Sequence, residues 1–194
     1  MMDRTAAASA IEAFLRAIGH PVGSDPELAG TGARVASLWI DELLDGYVVD
    51  LGALFDDAMP AREGAPLVTI ERLTTHVVCP HHLTIGKGFA TVLYLPGDRV
   101  AGLGAIARLV DACTHRLVLQ EDAGQHVAAA VVERLGARGA ACVLKMRHGC
   151  LEHHGEKKRG ARVRTISLAG SFAAEGPDRA LALAAIGEHV AGDR

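Results

Sequence analysis

The chain has 194 residues, 49% hydrophobic and 22% charged, the balance of one globular domain with a small appendage. Twenty basic against 23 acidic residues leave a formal charge of -3, and aromatics are only 4%. That excludes a general nucleic-acid coat or a base-stacking platform, and no apolar run approaches the ~18 residues of a membrane span.

The elements follow from periodicity. Ile11, Phe14, Leu15 and Ile18 recur at helical offsets over 5–18, and Pro21 ends that helix. A second helix is predicted over 33–46, with Val35, Leu38, Trp39 and Leu43 inward. Residues 47–66 read as a connecting arm rich in Asp, Gly, Ala and Pro. The β-branched run 67–78 is a strand, and 87–95 a second, with Phe89, Thr91, Leu93 and Leu95 on one side and Ala90, Val92 and Tyr94 on the other. Helical spacing returns over 103–117 and 122–136. Strands follow over 140–148 and 162–172, and a last helix over 178–191. Runs of strands and runs of helices, rather than strict alternation, predict an α+β fold with an antiparallel sheet. The division read from this order is 1–66, an N-terminal helical region and arm, and 67–194, a catalytic domain with a C-terminal helix.

Four cysteines and ten histidines carry the chemistry. The N-terminus has charges inside its apolar pattern and lacks the core of a signal peptide, so the thiols are expected reduced in the cytoplasm. Cys113 and Cys142 sit at apolar positions and read as buried hydrophobes. Cys79 and His82, three apart on a tight turn, can converge on one ion. Strand parity places His148 with Cys142, Leu144 and Met146, and carries Cys150 to the same side if the strand continues. Cys79, His82 and Cys150 would leave a fourth zinc position open to water, the catalytic arrangement. His153 and His154 are rival ligands that spacing does not eliminate. His81 and His148 flank the cluster, and an imidazole titrating near a pKa of about 6.5 suits proton transfer there.

Several separated motifs resemble the type I GTP cyclohydrolases: C-P-H-H-L at 79–83, G-K-G-F-A-T-V-L-Y-L-P at 86–96 and G-L-x-x-I-A-R-L-V at 102–110. R-L-V-L-Q-E at 116–121, H-G-C at 148–150 and T-I-S-L-A-G-S-F at 165–172 continue the series, and 33–43 is similar to the family's early helix. The resemblance implies a tunnelling fold: a four-stranded antiparallel sheet with two helices on one face, an N-terminal helical extension, and assembly into a homodecamer with inter-subunit sites. It implies zinc (Zn2+) on Cys79, His82 and Cys150, and acid–base roles for His81 and His148. Gln120 and Glu121 match the guanine-recognition pair, and a carboxylate is apt for the N–H edge of guanine. Arg34 and Arg108 match residues that hold the triphosphate. The implied reaction converts GTP and water to 7,8-dihydroneopterin triphosphate and formate, in pterin and tetrahydrofolate biosynthesis, with no nucleic-acid or membrane partner.

The chain departs from that pattern. Pro80 stands where the family usually has Glu, Gly104-Ala105 where it has Ser-Lys, and His154 where it has Arg. A triphosphate carries about four negative charges, and each charge-assisted contact is worth roughly 1.5–3 kcal/mol. Two cations fewer therefore weaken its binding unless something replaces them. Candidates are His154, when suitably protonated, and the run Lys157, Lys158, Arg159, Arg162 and Arg164. The alternatives are a paralogue that opens a guanine compound with fewer phosphates, and a non-catalytic purine- or pterin-binding ring protein.

Overall fold

The computed structural model describes residues 2–192, with side chains through Gly187. Met1, Asp193 and Arg194, the outer limits of the regions read from sequence, lie outside the described residues. The chain divides into two compact units between Asp45 and Gly46, so 46–66 group with the sheet unit rather than with the N-terminal helices.

The first unit is a helix pair. Helix α1 (Arg4–Ala17) starts where the Asp3 carboxylate accepts from the Ala6 amide at 2.9 Å. Helix α2 (Thr31–Leu38) passes into a π-helical turn, Trp39–Leu43, that ends before the predicted limit. A Cβ at Gly32 would come within 2.6 Å of the Ala8 carbonyl, so the missing side chain permits close approach of α2 to α1. Arg4 donates to both Asp41 oxygens at 2.7 and 2.6 Å, tying the two ends together. The predicted apolar face of α1 stays open in the single chain: Phe14 is 60% and Ile18 53% exposed.

The second unit begins with a short strand β1 (Met59–Pro60) and continues to β2 (Val68–Val78) and β3 (Ile85–Leu95). Strand β4 (Arg99–Val100) pairs with β1, so the predicted arm is partly ordered by backbone pairing. Helices α3 (Leu103–Thr114) and α4 (Gln120–Ala130, extended by a π turn to Leu135) follow, then β5 (Gly139–His148), a short helix α5 (Gly149–His153), β6 (Val163–Gly170) and α6 (Pro177–Gly192). The main sheet is antiparallel in the order β2-β3-β5-β6.

The strand alternation decides the layers. Ala90, Val92, Tyr94, Cys142, Leu144 and Met146 pack against Ile106, Leu109 and Val110 of α3 and Val127 of α4. Leu93, Leu95, Ala141 and Val143 point to the opposite face, where Phe172, Ala182 and Ile186 cover them. The two helices thus share one face, as expected for the fold. Helix α6 covers only one end of the other face. No helix among the described residues is long and apolar enough to cross a membrane.

Candidate metal centre and the hollow beside it

Cys79 closes β2 at the mouth of a tight turn. Its amide donates to the Thr84 carbonyl at 2.9 Å, and its carbonyl accepts from the Leu83 amide at 2.9 Å. Leu83 takes the left-handed conformation at φ 53°, a strained position for a branched side chain that this turn retains. The turn carries His81 and His82 outward. The end of β2 is also pinned sideways: Val78 donates to the Arg116 carbonyl at 3.0 Å and accepts from Val118 at 3.2 Å. That bridge draws Cys79 beside the start of α4, where Gln120 and Glu121 stand.

The third ligand arrives by a different route from the one strand parity predicts. Strand β5 ends at His148, and Cys150 lies on the first turn of α5. The helical turn, not a continued strand, carries its sulfur to Cys79. Gly149 permits the bend: a Cβ there would sit 3.2 Å from the Ile85 carbonyl and 3.3 Å from Thr84 Cβ. Glu152 then anchors α5. It accepts from Arg147 Nε at 2.8 Å and Nη2 at 2.5 Å, and from the Gly160 amide at 3.1 Å. These donors, Arg147 first, hold its carboxyl below the usual carboxylate range.

The ligand atoms of Cys79, His82 and Cys150 all lie within 4.8 Å of one another. Cys79 Sγ is 3.8 Å from His82 Nδ1. Typical Zn–S and Zn–N lengths of about 2.3 and 2.0 Å at a tetrahedral angle give a separation of about 3.5 Å. Two soft thiols and an imidazole in that geometry fit zinc. His154 stands beside the group, its ring centroid 5.0 Å from that of His82. His153 belongs to α5 but is not one of the three converging donors.

A hollow of about 230 Å³ opens next to these residues, lined by Cys79, His81, Gln120, Glu121, His148 and Cys150 among others. Burial lowers the His148 pKa, against the opposing pull of the Glu121 charge, so the ring is neutral near pH 7. Gly86, opposite His148 in the sheet, leaves room for that ring: a Cβ there would approach His148 Nδ1 to 2.7 Å.

Gln120 holds the ring's other nitrogen. Its side chain is buried, at 2% exposure. The amide nitrogen donates to the Leu144 carbonyl at 3.0 Å, the Val163 carbonyl at 3.2 Å and Thr165 Oγ1 at 3.1 Å. Oε1 must therefore be the acceptor, so the 2.7 Å contact to His148 Nε2 puts the proton on Nε2. Sequence reasoning missed this engagement. Position 120 matched a recognition motif, and only the strand register reveals that its side chain is committed to β5 and β6.

Of the expected phosphate contacts within the sheet unit, His154 stands beside the metal group and Arg108 does not line the hollow next to it. Arg108 lines a separate hollow with Gly104, Ala105 and Asp57. Arg34 lies in the first unit, donating to the Ala29 carbonyl at 2.7 Å and to Thr31 Oγ1 at 2.9 Å. Lys158 is exposed, and its amide donates to the Leu151 carbonyl at 2.9 Å. Of the basic run, Arg162 lines a different hollow bounded by Arg72 and Phe89, while its neighbour Val163 lines the one beside the metal group.

Two thiols and an imidazole that could hold a metal ion thus stand at one opening with His148 and Glu121. The model of the family described as GTP cyclohydrolase I matches residues 7–187. The chain is 41% identical over 190 residues to GTP cyclohydrolase 1 of Chromobacterium violaceum, covering 95% of this chain and 88% of that protein. It is 41% identical over 168 residues to GTP cyclohydrolase 1 of Ralstonia nicotianae (84% and 77% covered) and 36% identical over 184 residues to that of Mycobacterium leprae (90% and 87% covered). Among solved structures it is similar to an archaeosine synthase QueF-Like protein in the apo form, at 19% identity and TM-score 0.45, covering 55% of this chain and 97% of that chain. The chain belongs to the GTP cyclohydrolase I family.

Proposed function

We propose that this chain is a zinc-dependent hydrolase that opens the imidazole ring of GTP, giving 7,8-dihydroneopterin triphosphate and formate. The convergence of Cys79, His82 and Cys150 beside Glu121 and His148 carries this reading. A bound zinc ion supplies the Lewis acidity that activates water for attack on a purine carbon. Glu121 accepts hydrogen bonds from the N–H edge of guanine. His148, with Nε2–H fixed on Gln120, keeps Nδ1 for proton exchange with the purine. His81, on the same wall, serves the later opening of the ribose. Gln120 acts through His148 rather than on the base. Arg34, Arg108, His154 and Lys158 are the proposed phosphate contacts. The product feeds pterin and tetrahydrofolate chemistry in the cytoplasm.

The open face of α1 and the position of β2 and β6 at the two edges of the sheet support self-association. A homodecamer with shared sites would let Arg34 and Arg108 of one copy serve the centre of another.

One observation favours the second reading, a guanine substrate with fewer phosphates. Among the described residues lining the Arg108 hollow, Arg108 is the one cation, and Asp57 opposes it. Steady-state comparison of GTP, GMP, guanosine and guanine separates the two. A kcat/KM for GTP at least about a hundredfold above guanosine, worth roughly 2.7 kcal/mol of phosphate contacts, is expected. Equal use of GMP and GTP would contradict triphosphate recognition.

A further inference from the structure

Helix α5 carries a second ligand-type side chain on the turn that carries Cys150. His154 follows Cys150 by four positions, and its amide donates to the Cys150 carbonyl at 3.2 Å, closing the helical turn between them. Side chains four apart on a helical turn share one face, the spacing at which paired ligands reach a single ion. His153 lies about 100° round the helix from that face. The His154 backbone is held on both sides, since its carbonyl also accepts from the Lys157 amide at 3.3 Å. Glu152, between Arg147 and the Gly160 amide, fixes the helix beneath it.

The ring is placed for the same ion as His82. When an imidazole nitrogen binds zinc at about 2.0 Å, the ring centroid lies about 3.2 Å from the ion, so two imidazoles on one tetrahedral ion have centroids about 5.2 Å apart. The His82 and His154 centroids are 5.0 Å apart, with the rings tilted by 48°. His81 fits less well, at 6.2 Å from His82. The His154 nitrogens stand outside the set that gathers within 4.8 Å, so coordination requires a turn about the side-chain torsions. Among the described residues no group hydrogen-bonds to the His154 ring, and the side chain is exposed. Such a ring turns on the picosecond-to-nanosecond scale.

We propose that His154 is a fourth, displaceable zinc ligand, which closes the Cys79–His82–Cys150 set while no substrate is bound and turns away when substrate enters. This ligation rests on the zinc reading of those three residues and adds how the site is kept between turnovers. Two thiolates and two imidazoles saturate a tetrahedral ion, hold it more firmly than three donors and deny its last position to stray anions. The backbone of His154 stays fixed while its exposed ring gives way, so opening the site moves one side chain and leaves α5 in place. Released from the metal, the same imidazole is at hand for the phosphate contact proposed above.

X-ray absorption at the zinc edge counts the donors, and competition with a chelator measures how firmly they hold. Wild type carrying one zinc per chain shows two sulfurs and two imidazoles. His154→Ala shows two sulfurs and one imidazole, and holds zinc at least about tenfold more weakly. His153→Ala matches wild type in both. With cobalt in place of zinc, thiocyanate shifts the visible spectrum of His154→Ala at concentrations well below those that wild type needs. Saturating GTP on zinc-loaded His148→Ala, which turns over slowly, lowers the imidazole count from two to one; a count that stays at two with GTP bound overturns the displacement. If His154→Ala does not fold by circular dichroism, His154→Leu is read in its place. One zinc per chain with a single imidazole in wild type, or equal zinc affinity in wild type and the His154 variant, overturns the proposal and leaves the hydrolase reading standing. A wild type that binds no zinc overturns both.

Discussion

At the scale of single residues, Gln120 is the most consequential side chain that touches no substrate in this account. Replacing it with Leu removes the acceptor for His148 Nε2 and the donor to the Leu144 and Val163 carbonyls. Turnover should fall at least about tenfold, a part of the roughly 10²–10⁴ that a positioned acid–base group supplies. Zinc content and KM should hardly change. A raised KM with kcat preserved would instead mean that Gln120 reads the base directly. The cysteines divide as sharply. Cys113 and Cys142 are buried in the core, and burial pushes the Cys113 thiol up to about 11 and that of Cys142 higher still. At pH 8 their thiolate fraction is negligible, on the order of 0.1% or less at Cys113. Alkylation of native protein should therefore modify Cys79 and Cys150 after zinc removal and neither while zinc is bound. Equal labelling of all four thiols would contradict the assignment. The buried pair was legible from apolar spacing alone. The role of Gln120 was not, because a buried amide and a surface amide look alike in a sequence.

At the scale of elements, Cys79-Pro80-His81-His82 was readable because a turn of fixed length brings positions three apart together. Cys150 does join the group, but not by the route that parity offered, which held only for a strand that continues, and here β5 gives way to α5 after His148. Helix α5 is only five residues long and depends on Glu152 for its placement. The Glu152 carboxyl titrates below its ordinary value in the folded chain. Its contribution is therefore fully present above the unfolded carboxylate pKa of about 4.3 and is lost as pH falls through the lower folded value. The stability difference between wild type and Glu152→Gln, measured on zinc-free protein to separate it from ligand protonation, should be constant above about pH 5 and shrink below it. A difference independent of pH would remove the Arg147–Glu152 clamp from the account of α5. The predicted helix over 33–46 ended early for a comparable reason. The backbone at Trp39–Leu43 widens to a π turn that propensity alone does not register.

At the scale of the whole molecule, the order of elements was legible because hydrophobic period distinguishes 3.6 from 2 over long stretches. Which face each strand residue occupies was legible too, as Ala90, Val92 and Tyr94 under α3 and α4 illustrate. The partial cover of the other face by α6 was not, because it depends on where the chain turns after Phe172. Nor did the basic run near 157–164 reveal that Val163 and Arg162 serve opposite faces. These placements put a metal-binding group and a purine-sized opening on one side of the sheet and the hollow bounded by Arg72 and Phe89 on the other. The central claim concerns the first of them, and formate release from GTP by protein carrying one zinc per chain tests it most directly. The account predicts one formate for each GTP consumed, with His148→Ala still holding its zinc and releasing about 10²–10⁴-fold less. Intact GTP after incubation with the zinc-loaded protein, or undiminished release after both Cys79 and Cys150 are changed to Ser, would contradict it.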